Sequence, residues 1–171
     1  MKKALIIVIV IFIAVLLASK KSDLDVFEQI NIPIVVDYSK SIEQIIKEGK
    51  YDEDSNISSY TFVKNGTIAK DSSVMKREAV FLNFNCSVQS EDVIAHMKLR
   101  GLRPGIAIEL YSLGEQYPGL QREIDIIVLG SSTADSSVPG LWEDVFGCRC
   151  TMLWRWSRTW SSDYWFLAFR E

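Results

Sequence analysis

One histidine, three cysteines and four prolines are all that 171 residues hold of these types, and each scarcity closes a class of function. With His96 the single imidazole and no paired cysteine knuckles, a zinc site lacks its ligands. A nucleophile has one base to draw on, ten residues beyond Cys86. A Cys86 and His96 dyad is within reach, but an ordinary histidine on a helix surface is the simpler reading. Basic excess is missing too. The formal charge of -3 and pI near 5.3, with no long run of one sign, argue against a nucleic-acid binder, which needs a basic field to neutralise phosphates. No low-complexity tract interrupts the chain, and 48% hydrophobic residues suffice for the core of one domain.

Long apolar runs are likewise scarce, with one exception. Between Lys2-Lys3 and Lys20-Lys21 the segment from Ala4 to Ala18 is unbroken apolar sequence, including Leu5, Ile9, Phe12 and Leu16. As a helix it spans roughly 22 Å, short of a hydrocarbon core of roughly 30 Å but workable if the flanking lysines snorkel. Leu16 and Leu17 occupy positions that a cleavage site reserves for small residues. The segment therefore reads as an uncleaved signal anchor, with a cleaved signal peptide and a buried helix as alternatives. Balanced lysines decide orientation weakly. A short positive leader favours the N-terminus inside and the domain outside the cytoplasm, or secreted if the leader is cut. Residues 22–37 then read as a linker that ends in a strand at Ile34 to Val36, and residues 38–171 as a single domain.

Cys148 and Cys150 alternate along an expected strand and point the same way, so either could reach Cys86 but not each other. Two readings stay open: three buried thiols acting as small apolar residues, or one disulfide of Cys86 with Cys148 or Cys150 in an oxidising compartment.

Along the domain, Ser41 and Gln44 have capping-box spacing ahead of Ile42, Ile45 and Ile46, with Gly49 as the stop. Asn65-Gly66 between β-prone flanks predicts a hairpin from Tyr60 to Lys70. Asn65, Asn56 and Asn85 also head glycosylation triplets, which arise often by chance. Val80, Leu82 and Phe84 alternate with Ala79 and Phe81 in a strand expected to be central. Ser90 is expected to cap a helix that Gly101 ends, and Pro104 to start another carrying Ile106, Leu110, Leu113 and Tyr117. Ile124 to Leu129 reads as a strand running into a polar loop. Trp142 to Arg170 reads as two strands, one alternating from Cys148 to Ser157 and one from Tyr164 to Phe169. The fold class is α+β, a small domain with a mixed or antiparallel sheet, two or three helices and a Trp-rich C-terminal β region, preceded by the N-terminal hydrophobic helix.

All five tryptophans, Trp142, Trp154, Trp156, Trp160 and Trp165, fall in that last region, interleaved with arginines. Aromatics beside arginine suit stacking on sugars and anchoring of protein partners, at low entropy cost. Trp154, Trp156 and Phe166 are assigned to packing, and Arg155, Arg158, Trp160, Asp163 and Tyr164 to an exposed ligand-binding surface. If so, Trp160 and Tyr164 are replaceable by alanine without unfolding. Other candidates are weaker. Gly130-Ser131-Ser132-Thr133 follows a strand as phosphate loops do, but has one glycine, no following lysine and no expected helix to lend its dipole. Glu143, Asp144 and Asp163 match no calcium-loop spacing and read as solvated acids. No cofactor is expected.

Several stretches together resemble a family of uncharacterised bacterial proteins found in candidate-phylum genomes. They are Ser41 to Ile46 with Gly49-Lys50-Tyr51-Asp52, Phe81 to Asn85, Gly101-Leu102-Arg103-Pro104 with Glu109-Leu110, Tyr117-Pro118, Leu120-Gln121-Arg122, Ile127 to Ser131, and Phe166 to Arg170. The resemblance implies one domain of unknown function; at Gly105-Ile106 the chain departs from the small residue and hydroxyl usual there. The order of a Pro-opened helix, a Trp-rich segment and a final Phe-Arg tail is also similar, more distantly, to C-type lectin-like domains of the formylglycine-generating-enzyme type. That similarity implies ligand binding through tryptophan-bearing C-terminal loops. The enzymes' copper-binding cysteine spacing is absent, so oxidase activity is not implied. The resulting expectation is a membrane-anchored binding module for a protein or carbohydrate ligand and not an enzyme, with an envelope hydrolase using Cys86 or a loop serine, or a purely structural tethered domain, as alternatives.

Overall fold

Two strands long enough to cross the domain, β1 (Val26–Asp37) and β3 (Val74–Phe84), pair antiparallel from Val26↔Phe84 to Asp37↔Val74 and found the sheet. The computed structural model describes residues 26–52, 61–64 and 74–171. The apolar segment from Ala4 to Ala18 and the Asn65-Gly66 turn lie outside the described residues. Among the described residues no helix is long and apolar enough to cross a membrane.

Between these strands runs α1 (Ile42–Gly49), with the anticipated capping box: Ser41 Oγ accepts from the Gln44 N–H, and Gln44 Oε1 accepts from the Ser41 N–H. Its end differs from expectation, for Gly49 is still helical and Lys50 takes the left-handed turn at φ 48°. After β2 (Val63–Lys64) and β3 come α2 (Ser90–Leu99), β4 (Leu102–Pro104) and α3 (Ala107–Gln116). A 3-10 turn at Leu120–Arg122 then leads to β5 (Asp125–Ile127), β6 (Ser131–Ser132), β7 (Ser137–Glu143), β8 (Arg149–Arg155) and β9 (Tyr164–Arg170). The main sheet has the order β1-β3-β9-β5-β7-β8, with β4 also on β9, and β2 pairs with β6 in a small second sheet. It is mixed, since β5 runs parallel to β9 while the other neighbours are antiparallel.

Alternation along β3 and β9 divides the core into two layers. Ala79, Phe81, Leu167 and Phe169 face α1 and α3, where Ile45, Ile46, Leu110 and Leu113 meet them. Val80, Leu82, Phe84, Phe166 and Ala168 face α2, with Val93 and Met97. Helices therefore cover both faces of a single sheet. The described residues form a small α+β domain with three α-helices, and it does not support the C-type lectin-like layout.

Three expectations need correction. Residues 26–37, read as a linker, form the twelve-residue edge strand β1; Pro33 is tolerated because its missing N–H lies on the outer edge. Pro104 closes strand β4 and does not open α3. The helix starts at Ala107, whose N–H donates to Ser131 Oγ (3.0 Å), while the Ile106 N–H donates to the Glu109 carboxylate (3.0 Å). A hydroxyl from the distant strand β6 thus replaces the local cap the sequence lacks. The C-terminal region holds a further strand, β7, unread because Pro139 and Gly140 mimic a loop; a Cβ at Gly140 would approach Ile127 Cδ1 to 2.7 Å, so the side chain is excluded by close packing.

Both outer edges are partly engaged by neighbouring groups. Gln116 accepts the Val35 N–H (2.9 Å) and donates to the Val35 carbonyl (2.7 Å), pairing like a strand, and Tyr117 Oη donates to Pro33 O. On β8, Asp52 donates its N–H to Arg149 O and accepts the Arg149 N–H through Oδ2.

Candidate ligand-binding site

From Arg155 the chain turns back across the α2 side of the sheet. The Arg158 N–H donates to Arg155 O, and Trp160 exchanges two backbone hydrogen bonds with Val88 at 2.9 and 3.0 Å. Trp160 is thereby drawn under the loop. It is 0% exposed, its indole Nε1 donates to Ser90 Oγ (2.9 Å), and Ser90 donates onward to Trp156 O (2.7 Å). Edge-to-face contacts with Tyr164 and Phe166 complete its surroundings. Ser90 is thus the first residue of α2 with a buried hydroxyl, and its expected capping role falls to the backbone at Gln89.

Above this floor lies Arg158. Its guanidinium carbon stands 4.3 Å from the Trp154 ring, 5.2 Å from Tyr164 and 6.0 Å from Trp160, and Nη2 donates to Tyr164 Oη (2.8 Å). Burial raises the Tyr164 phenol above its ordinary value, against the pull of Arg158, so it stays a neutral partner. Stacking on aromatic faces holds the fork while the residue as a whole remains exposed.

The five expected surface residues therefore separate. Arg155, Arg158 and Asp163 are exposed. Trp160 and Tyr164, at 0% and 7%, are buried and form the floor, which corrects their assignment to the surface. Trp154 and Trp156, expected as core, are half-buried at the rim, where Trp156 Nε1 donates to Glu91 and holds that carboxyl below its ordinary range. Asn83 fixes the loop by donating to Ser162 O and Tyr164 O. Asp163 sits near half-buried Asp125, whose carboxyl is raised by burial and by that neighbouring charge.

The remaining candidates lie elsewhere. No disulfide joins Cys86 to Cys148 or Cys150: β3 and β8 are four strand steps apart, about 19 Å at roughly 4.8 Å per step, beyond any bridge. Cys86 is exposed and Cys150 buried. His96, expected on the surface, is buried against Phe84 with its ring edge-on, and its Nε2 has no hydrogen-bond partner among the described residues. The loop at Gly130 does meet a helix N-terminus, contrary to expectation, but Ser131 and Glu109 already take the N–H groups an anion would need. Glu143 pairs with Arg122, and Asp144 Oδ1 accepts from the Phe146 and Cys148 N–H groups. No group of three metal-binding side chains occurs among the described residues.

Two buried charged clusters escaped the sequence reading. Glu109, 0% exposed, is held by both Nη atoms of Arg103 (3.0 and 2.6 Å), by Tyr38 Oη (2.6 Å) and by the Ile106 N–H. Burial and the Glu109 charge push the Tyr38 phenol up to about 12. Arg149 donates to Gly49 O (2.9 Å) and Gly114 O (2.7 Å) at the C-terminal ends of α1 and α3, with its guanidinium 4.8 Å from the Tyr51 ring. Both knit helices to the sheet: Glu109 has its oxygens satisfied, and Arg149 meets the negative ends of two helix dipoles.

No family model, no curated protein and no solved structure matches the chain. The chemistry available is therefore that of the residues themselves. Around Arg158 they are an oriented guanidinium whose Nε and Nη1 make no hydrogen bond among the described residues, two indole rims and one carboxylate, while Arg155, exposed, has the strand parity of Leu153 on the opposite face. An ordered fork of this kind suits a carboxylate, phosphate or sulfate, and the rims suit the apolar face of a sugar or peptide.

Proposed function

We propose that the chain is a binding module held at a membrane outside the cytoplasm by its apolar N-terminal segment, and that it recognises an anionic group on a protein or carbohydrate ligand through Arg158. The ordered, exposed guanidinium of Arg158 carries this reading. An arginine free in solvent loses side-chain entropy when it binds, whereas one already stacked on Trp154 and bonded to Tyr164 has spent much of it on folding. Asp163 disfavours ligands whose charge extends toward it, and Trp154 and Trp156 supply contact area.

The test uses full-length chain in detergent with labelled arginine side chains, titrated with hexuronate oligosaccharides, acidic peptides, phosphate and sulfate. A saturable shift of the Arg158 Nε–H signal by at least one of these probes is expected, and binding of that probe measured by calorimetry should be lost in Arg158→Gln and weakened in Arg158→Lys, which keeps charge but not the fork. Absence of any saturable shift up to about 10 mM, roughly 2.7 kcal/mol of affinity, ends the reading.

A further inference from the structure

The strand directions put two features at one end of the sheet. β1 enters at Val26, paired with Phe84, one residue beyond the Asn83↔Trp165 pair. Ile126 and Leu141 share the level of Trp165, and β7 climbs two residues further to Glu143 before the turn into β8. The tip of that turn, Val145-Phe146, therefore projects from the same end of the strands as Val26, near the other edge of the sheet.

These two side chains are 92% and 86% exposed, more than any other large hydrophobic residue described. The turn that carries them is tied down. Asp144 Oδ1 accepts from the Phe146 and Cys148 N–H groups at 2.9 and 2.8 Å, Gly147 donates to Asp144 O, and Arg122 bonds both Glu143 and Gly147 O. Those bonds also turn the local carboxylates inward or neutralise them, leaving an apolar point. The apolar segment ends at Ala18 with lysines at 20 and 21, and only Ser22 to Asp25 separate them from Val26. Five peptide steps reach at most about 17 Å. A bilayer that holds the segment thus lies within reach of this end of β1.

We infer that Val145 and Phe146 form a second membrane contact, dipping into the headgroup region of the same bilayer and fixing the domain's tilt. The inference rests on the membrane-held reading above. A rigid hairpin with paired charges and an aromatic tip suits a zwitterionic lipid surface, where apolar area and not net charge supplies the attraction.

Full-length chain is reconstituted in phosphatidylcholine vesicles with an environment-sensitive fluorescent amino acid encoded at position 145 or, as control, at exposed Val74 on the opposite end of the sheet. Lipids spin-labelled near the headgroup are expected to quench position 145 several-fold more than position 74, and Phe146→Asp to abolish the difference. Equal quenching at the two positions in chain that floats with the vesicles overturns the tip contact alone. Chain that fails to float overturns the anchoring and the inference with it.

Discussion

Replacing Trp160 by alanine is expected to damage the fold and not merely a surface. The indole is fully buried between Tyr164 and Phe166, and its N–H is bonded to Ser90. An aromatic of this size removes about 200 Å² from water, worth about 5 kcal/mol at 25 cal/mol per Å². Partial collapse of the site brings the expected loss to about 4 kcal/mol, within the 3–5 kcal/mol typical of such truncations. Ser90 then also loses its partner. With a urea slope of about 2 kcal/mol per M, the unfolding midpoint falls by about 2 M. Trp160→Phe keeps most of the area but not the donor and should lose less than half as much. Ser90→Ala in the wild-type background strands the buried indole N–H at a cost of about 1–3 kcal/mol, while the same change beside Trp160→Phe costs less. Urea titrations followed by circular dichroism give all four values. An unchanged midpoint for Trp160→Ala refutes the reasoning, because it returns the ring to solvent.

Two further outcomes follow from buried polar groups. Arg149→Met removes the donor shared by Gly49 O and Gly114 O and should lower stability by about 3 kcal/mol, with Arg149→Lys recovering only part because an ammonium lacks the planar fork; the urea midpoint reports both. Burial, helped by the nearby Arg100 charge, holds His96 below its ordinary value of 6.5, so the folded state favours the neutral ring. Its contribution is complete above 6.5 and is lost as pH falls through the depressed folded value; a pH series of midpoints should show that acid limb, and His96→Leu should flatten it.

Much of the scaffold is written in local pattern. Alternation in Ala79 to Phe84 is strong because the strand is buried on both faces, and the capping box at Ser41 satisfies its own helix end without help. What escaped depends on distant partners. β1 looked irregular because an edge strand needs apolar residues on one face only, here Ile30, Ile32, Ile34 and Val36, and Pro33 broke the run. The start of α3 was misplaced because its cap, Ser131, arrives from strand β6, more than twenty residues on. At the site, Arg155, Arg158 and Asp163 were legible as solvent-facing, but parity was overlooked for Tyr164. It shares its face of β9 with Phe166 and Ala168, both core, which places it inside. Trp160 belongs to no strand, and its burial depends on partners about 70 residues away, the Val88 backbone and the Ser90 hydroxyl.

The side chains along the outer margins of the sheet bear on how neighbouring copies coexist. On the proposed membrane-held arrangement, chains confined to a plane would meet far more often than chains in bulk, and an open row of amides invites each arrival to add itself as one more strand. Here that row is interrupted twice: Gln116 and Tyr117 engage the backbone of one border, and Asp52 engages the other. Crowding of this protein should consequently yield separate particles side by side, with no propagating ribbon.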